Sequence, residues 1–179
     1  LGINCFMLLF TYLFVYMIEK AWGFTSNVML VELCDLNSPL LKELSLKCPG
    51  TFQHATQIAN LAAEAANAIG ANALLVRTGA LYHDIGKSTN PMFFTENQHG
   101  INPHDNLSYK ESARIIISHV TEGLQLAKKY SLPESIKGFI ATHHGISKAK
   151  YFYTMYKNEH PDEEVDEKLH SIMKNIHEM

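Results

Sequence analysis

Cysteine is scarce in this 179-residue chain, and the three present (Cys5, Cys34 and Cys48) are widely separated, with no CxxC spacing. An odd, scattered set supports no disulfide framework and reads as free thiols in a reducing compartment. A strong charge of either sign is also missing: 15 Lys and Arg against 18 Asp and Glu leave a formal charge of −3. No phosphate-gathering field follows from that balance, so neither DNA nor RNA polymer is expected as a partner. Between Thr51 and Lys157 no alternating apolar–polar run occurs, which excludes a half-buried sheet and predicts an all-α domain. Apolar residues make up 46% of the chain, enough for a real core, so disorder is excluded as its class.

Charge is absent altogether from Leu1 to Ile18. An uncharged apolar run of this length lies at the lower limit of the roughly 20 residues that cross a bilayer core. Tyr12, Tyr16 and Trp22 gather toward its end as an interfacial aromatic belt would, and Glu19 and Lys20 follow in the headgroup zone. There is no basic n-region or small-residue cleavage site, which argues against a signal peptide. Residues 1–20 are expected to be the end of a transmembrane helix, the alternative being a buried core helix. The chain opens on Leu and reads as a piece of a longer protein.

Residues 21–50 read as a connector. Within it Ser38-Pro39 starts a short amphipathic helix carrying Leu40, Leu41 and Leu44, and Cys48-Pro49-Gly50 breaks the chain. A globular domain is expected over 51–158. Gln53 to Ile69 has apolar residues at helical spacing and ends at Gly70. Asn72 caps a second helix that runs toward Gly86. Ser88 to Leu107, rich in Asn with Pro91, Gly100 and Pro103, is predicted to be a loop, and a connection that long inside a domain is usually functional. Ser108 and Glu111 form an S-x-x-E capping box for a long helix. Leu132-Pro133 opens another through His143, and Lys148 to Lys157 gives a last short one. Residues 159–179 form an acidic, weakly helical tail.

Ten histidines is a high count for this length. His54, His83, His119, His143 and His144 fall on four predicted helices, each beside an apolar stripe. Any one of them alone would read as an ordinary satisfied histidine. Five imidazoles buried together would need partners, and a metal cluster supplies them. Asp84, next to His83, adds a carboxylate able to bridge two cations. His99, His160, His170 and His177 lie in polar settings and are given no role.

The order His54, His83-Asp84, His119, His143-His144 resembles the HD-domain phosphohydrolase superfamily, a helical fold. Cys48 to His54, Tyr82 to Lys87, Phe94 to Gln98, Asn102 to Asp105, Ile116 to Val120 and His143 to Gly145 narrow the likeness. They look like the seven-transmembrane HD family, whose characterised members hydrolyse cyclic di-AMP. The resemblance implies an HD helical bundle preceded by a membrane-proximal helix, at the cell membrane with the HD domain on the cytoplasmic side. It implies two divalent ions, iron or manganese, one held by His54, His83 and Asp84, the other by Asp84, His119, His143 and His144. It also implies hydrolysis of cyclic di-AMP to linear pApA by a metal-bridged hydroxide, with Asp84 catalytic. Lys87, three residues after Asp84 near the same helix end, is the candidate catalytic cation for the phosphate charge, and it reads equally as a lysine favoured by the helix dipole. Asn97, Gln98, Asn102 and His104 are the expected substrate contacts, although turn formation also accounts for Asn102-Pro103. Tyr151, Phe152 and Tyr153 read as core rather than as base-stacking residues. The family places a further Asp on a helix after the point where this chain turns to Lys168-Leu169-His170-Ser171, and no residue of this chain aligns with it. The acids Asp162, Glu163, Glu164, Asp166 and Glu167 read instead as a solvated face. Other readings are an HD hydrolase of cyclic di-GMP or ppGpp, a mixed-valent di-iron oxygenase, and a non-catalytic nucleotide sensor. The sequence leaves the oligomeric state open.

Overall fold

A computed structural model describes residues 2–22, 25–145 and 150–160. Among them every long element is a helix and no strand occurs: α1 (Gly2–Trp22), α2 (Asn27–Leu33), α3 (Pro39–Lys47), α4 (Pro49–Ala68), α5 (Ala73–Tyr82), α6 (Tyr109–Lys129), α7 (Glu134–Thr142) and α8 (Lys150–Glu159). The all-α expectation is met. The acidic tail beyond residue 160, including the position of the further Asp, lies outside the described residues.

Local chemistry sets most boundaries. Asn72 Oδ1 accepts from Leu75 N–H at 3.0 Å and starts α5. At α6 the capping box is complete: Ser108 Oγ accepts from Glu111 N–H, and the Glu111 carboxylate accepts from Ser108 N–H at 3.1 Å. α4 begins at Pro49 rather than Gln53, because a proline at the first helical position has the right φ and no N–H to leave unpaired. Residues 88–107 also differ from the expected structureless loop. Short 3-10 turns cover Ile85–Thr89, Pro91–Phe93, Thr95–Asn97 and Pro103–Asn106. Each is too short to show a periodicity, and two begin with proline.

The core is made where α5 and α7 meet α3 and α4. Leu41, Ile85, Ile136 and Ile140 have no exposed surface, and Leu30, Leu44 and Leu81 are at 1%. Tyr82 reaches from α5 to α2, its hydroxyl donating to the Leu33 carbonyl at 3.0 Å. Because α2 and α3 contribute Leu30, Leu41 and Leu44 to this cluster, the core begins before residue 51.

Close approach of helices depends on two glycines. A Cβ on Gly79 would strike the Phe139 ring, which brings α5 against α7. A Cβ on Gly86 would strike the His119 carbonyl oxygen, which brings the turn after α5 against α6. Both contacts draw helix ends toward the His83-Asp84 pair.

α1 behaves differently. Its five consecutive residues Phe6 to Phe10 are 58–71% exposed, so apolar surface faces outward all round the helix. Among the described residues no helix is long and apolar enough to cross a membrane, and the transmembrane end expected over 1–20 does not appear as a span.

Candidate metal centre

The C-terminal ends of α5 and α7 and the middle of α6 point side chains into one place. His83 caps α5, His143 caps α7, and His119 lies on the buried face of α6. Each ring is aimed by its own helix. Nδ1 of His83 lies 2.7 Å from the Ala80 carbonyl, Nδ1 of His143 lies 2.9 Å from that of Ile140, and Nδ1 of His119 meets that of Ile116. A carbonyl can only accept, so each Nδ1 carries the proton and each Nε2 turns a lone pair inward.

Those lone pairs meet each other. Nε2 of His119 lies 3.3 Å from Nε2 of His143, and His144 Nε2 lies 3.0 Å from His119 Nε2. Two acceptor nitrogens facing across 3.3 Å make no hydrogen bond in their neutral form. Asp84 Oδ1 lies 3.4 Å from both His119 and His143 Nε2, is fully buried, and has no hydrogen-bond partner. A buried carboxylate oxygen without a donor, ringed by inward lone pairs, is the electrostatic shape of a cation site. Two groups fit one: Asp84, His119, His143 and His144, whose ligand atoms lie within 4.8 Å of one another, and His54, His83 and Asp84 by the same measure. Asp84 alone belongs to both. His/carboxylate donors of this kind suit a divalent metal.

Electrostatics keep His119, His144 and Asp84 in binding form. Burial, with neighbouring His143 and His119, pulls His144 down to about 4, and burial also lowers His119. Both are neutral near pH 7. Burial would raise Asp84, but contacts from His143 and His83 and the Lys87 charge hold it far below the carboxylate range. His83 is the exception: burial lowers it, yet the Asp84 carboxylate 3.1 Å from its Nε2 leaves it raised overall, which favours a ring protonated at both nitrogens until a cation displaces the inner proton.

Lys87 is fixed more firmly than a free cation would be. Its ammonium lies 2.8 Å from Asp84 Oδ2 and 2.8 Å from Glu96 Oε1, with the Phe94 ring 5.0 Å away. Although burial disfavours its charge, Asp84 and Glu96 keep its pKa above the ordinary lysine value. Sequence reasoning assigned no role to Glu96, which lies nine residues along in the 3-10 segment and bears no spacing relation to Lys87. The acid inside the Phe94–Gln98 motif was the available signal.

The expected substrate contacts divide. Asn97 is buried: at 3% exposure its amide oxygen accepts from Thr51 N–H at 3.2 Å and its Nδ2 donates to Thr51 Oγ1 at 2.8 Å, so it ties the 3-10 segment to the start of α4. Gln98, Asn102 and His104 instead line a cleft of about 1070 Å³ together with Phe93, Tyr109 and Phe152. Gln98 Nε2 donates to Asn102 Oδ1 at 3.2 Å, and His104 Nε2 donates to the Phe93 carbonyl at 3.0 Å. Phe152, expected in the core, faces this cleft while also packing on Ala113; Tyr151 is 67% exposed.

An all-α bundle with a His-Asp pair at its hub and further imidazoles from neighbouring helices defines a class. Residues 51–175 match the HD domain family, and the chain belongs to it. Among individual proteins it is similar to the cyclic-di-AMP phosphodiesterase PgpH of Listeria monocytogenes serotype 1/2a (strain 10403S), 46% identical over 145 residues, covering 80% of this chain and 20% of that protein. PgpH of Bacillus subtilis (strain 168) is 43% identical over 150 residues, covering 83% and 21%. The crystal structure of the L. monocytogenes PgpH HD domain in complex with cyclic-di-AMP superposes with a TM-score of 0.67 at 47% identity, covering 70% of this chain and 58% of that one. The chain thus spans about a fifth of the length of the curated relatives it matches.

Proposed function

We propose that this chain is the hydrolytic domain of a metal-dependent phosphodiesterase that opens cyclic di-AMP to linear pApA. The observation that carries the reading is the partnerless Asp84 Oδ1 surrounded by the Nε2 atoms of His119 and His143. The similarity to PgpH proteins, one of them crystallised with cyclic-di-AMP, supports the substrate.

His54, His83 and Asp84 would hold one divalent ion, and Asp84, His119, His143 and His144 a second; mixed imidazole and carboxylate donors suit iron, manganese or zinc, and the family resemblance favours iron or manganese. Bound there, such ions lower the pKa of water to make a nucleophile and draw charge from the phosphodiester. The remaining work belongs to side chains of this chain. Carbonyls of Ala80, Ile116 and Ile140 hold three rings in one tautomer. The Lys87 ammonium stands at the edge of the cluster, where negative charge on the non-bridging phosphate oxygens would develop. Phe93, Gln98, Asn102 and His104 offer rings and amides for a base in the cleft that they line. The outward apolar surface of α1 supports membrane attachment, with the HD domain on the cytoplasmic side where a cyclic dinucleotide would reach it.

The test is incubation of manganese- or iron-loaded protein with cyclic di-AMP, cyclic di-GMP and ppGpp. Linear pApA from the first alone is expected. Tight binding of a nucleotide with no product from any of the three would make the domain a sensor and overturn the hydrolase reading.

A further inference from the structure

Between the start of α4 and the cluster runs a continuous ladder of polar contacts. Asn97 is locked onto Thr51 by two hydrogen bonds. Thr51 Oγ1 donates to Glu96 Oε1 at 3.0 Å, and the same oxygen accepts from Lys87 Nζ at 2.8 Å. Lys87 then reaches Asp84 Oδ2 at 2.8 Å. Gly50 lets this segment close onto the helix, since a Cβ there would strike the Glu96 carbonyl oxygen. Asn97 and Thr51, at 3% and 0% exposure, are fixed parts, so the Glu96 carboxylate is presented rather than floating.

The two oxygens of Asp84 therefore differ. Oδ1 faces the imidazoles of His119 and His143, and Oδ2 is shared between Lys87 and His83. A lysine with no other anion would place its whole charge on Oδ2 and compete there with any cation that needs the carboxylate as a bridge. Glu96 gives Lys87 a second seat.

We propose that Glu96 is a positioning residue that acts through Lys87. It draws the ammonium partly off Asp84, so that the carboxylate keeps its donor strength toward metal while the lysine stays at the rim of the site. The proposal rests on the metal-centre reading above and concerns how that centre is tuned.

A double-mutant cycle on cobalt(II) affinity tests it, read from the visible ligand-field bands and independent of turnover. The full chain, Glu96→Gln, Lys87→Met and the double variant are each titrated with cobalt(II). Glu96→Gln retains the side-chain volume and an oxygen for Thr51. It is expected to weaken affinity about tenfold or more, the usual effect of losing an outer-shell partner. Lys87→Met is expected to tighten binding. In the Lys87→Met background, Glu96→Gln should weaken it distinctly less than it does with Lys87 present. Equal weakening in the two backgrounds would mean that Glu96 acts by its own charge and would overturn the proposal. If Glu96→Gln does not fold, Lys87→Met alone decides, and weaker binding by that variant counts against the proposal. Absence of cobalt bands from the unaltered chain would overturn the metal centre itself, an outcome distinct from either result within the cycle.

Discussion

Asp84 is the residue on which both ligand groups converge, and its burial makes it intolerant of change. Replacing it with Ala removes the only carboxylate common to the two sets. Elemental analysis of purified Asp84→Ala is expected to find neither ion retained, and recovery of both would refute the bridging assignment. Asn97 makes a different demand. Its amide satisfies the buried Thr51 N–H as well as the Thr51 hydroxyl, and stranding a buried group costs about 1–3 kcal/mol. Asn97→Ala should lower the melting temperature measurably even without nucleotide; an unchanged melting temperature would show that the tie to Thr51 carries no stability. Residue type alone showed that Asn97 was polar and consequential. It could not show the partner, because Thr51 lies 46 positions away and only the folded chain brings the two together. Glu96 stayed unassigned for the same reason. The gathering of the histidines was legible because polar residues that each border an apolar stripe need a shared partner, and the folded chain brings His119, His143 and His144 around Asp84.

At the scale of elements, capping chemistry was the most legible feature. Asn72, Ser108 with Glu111, and Pro133 mark the starts of α5, α6 and α7 where the side chains dictate. The 3-10 turns between Ile85 and Asn106 were not legible, since one turn of helix contains no repeat to read. The role of α3 was only half visible. Its leucine spacing announced an amphipathic helix, yet its burial beside Ile136 and Ile140 depends on how α4, α5 and α7 assemble. Leu41 is wholly buried there. Leu41→Ala is expected to destabilise the domain by about 2–5 kcal/mol through lost burial and the cavity left behind. Denaturant titration checks this, and a change below about 0.5 kcal/mol, the scale of an ordinary surface substitution, would show α3 to be a mere tether.

For the whole molecule, alkaline pH exposes a weakness set by burial. The Cys48 thiol, ordinarily 9.0, is pushed up to about 11 chiefly by burial, and burial raises the Tyr82 hydroxyl as well. In the unfolded chain the Cys48 thiol loses its proton near its ordinary value, while the folded chain retains it. Between pH 9 and about 11 the folded state therefore binds more protons, and stability falls as pH rises. The contribution is fully present below pH 9. Melting temperatures measured across this range should decline steeply for the unaltered protein and less steeply for Cys48→Ala, whatever the variant's starting stability. Parallel slopes would exclude Cys48 as a cause.

The backbone carbonyls three residues before His83, His119 and His143 carry a broader consequence. Each ring takes its tautomer and heading from a four-residue stretch of its own helix: Ala80 to His83, Ile116 to His119, and Ile140 to His143. Ligand orientation is thus written locally, and the tertiary fold has only to bring three prewired segments to a common point. Such segments are portable parts, which a designer could graft onto an unrelated helical bundle whose helices meet at the same spacing.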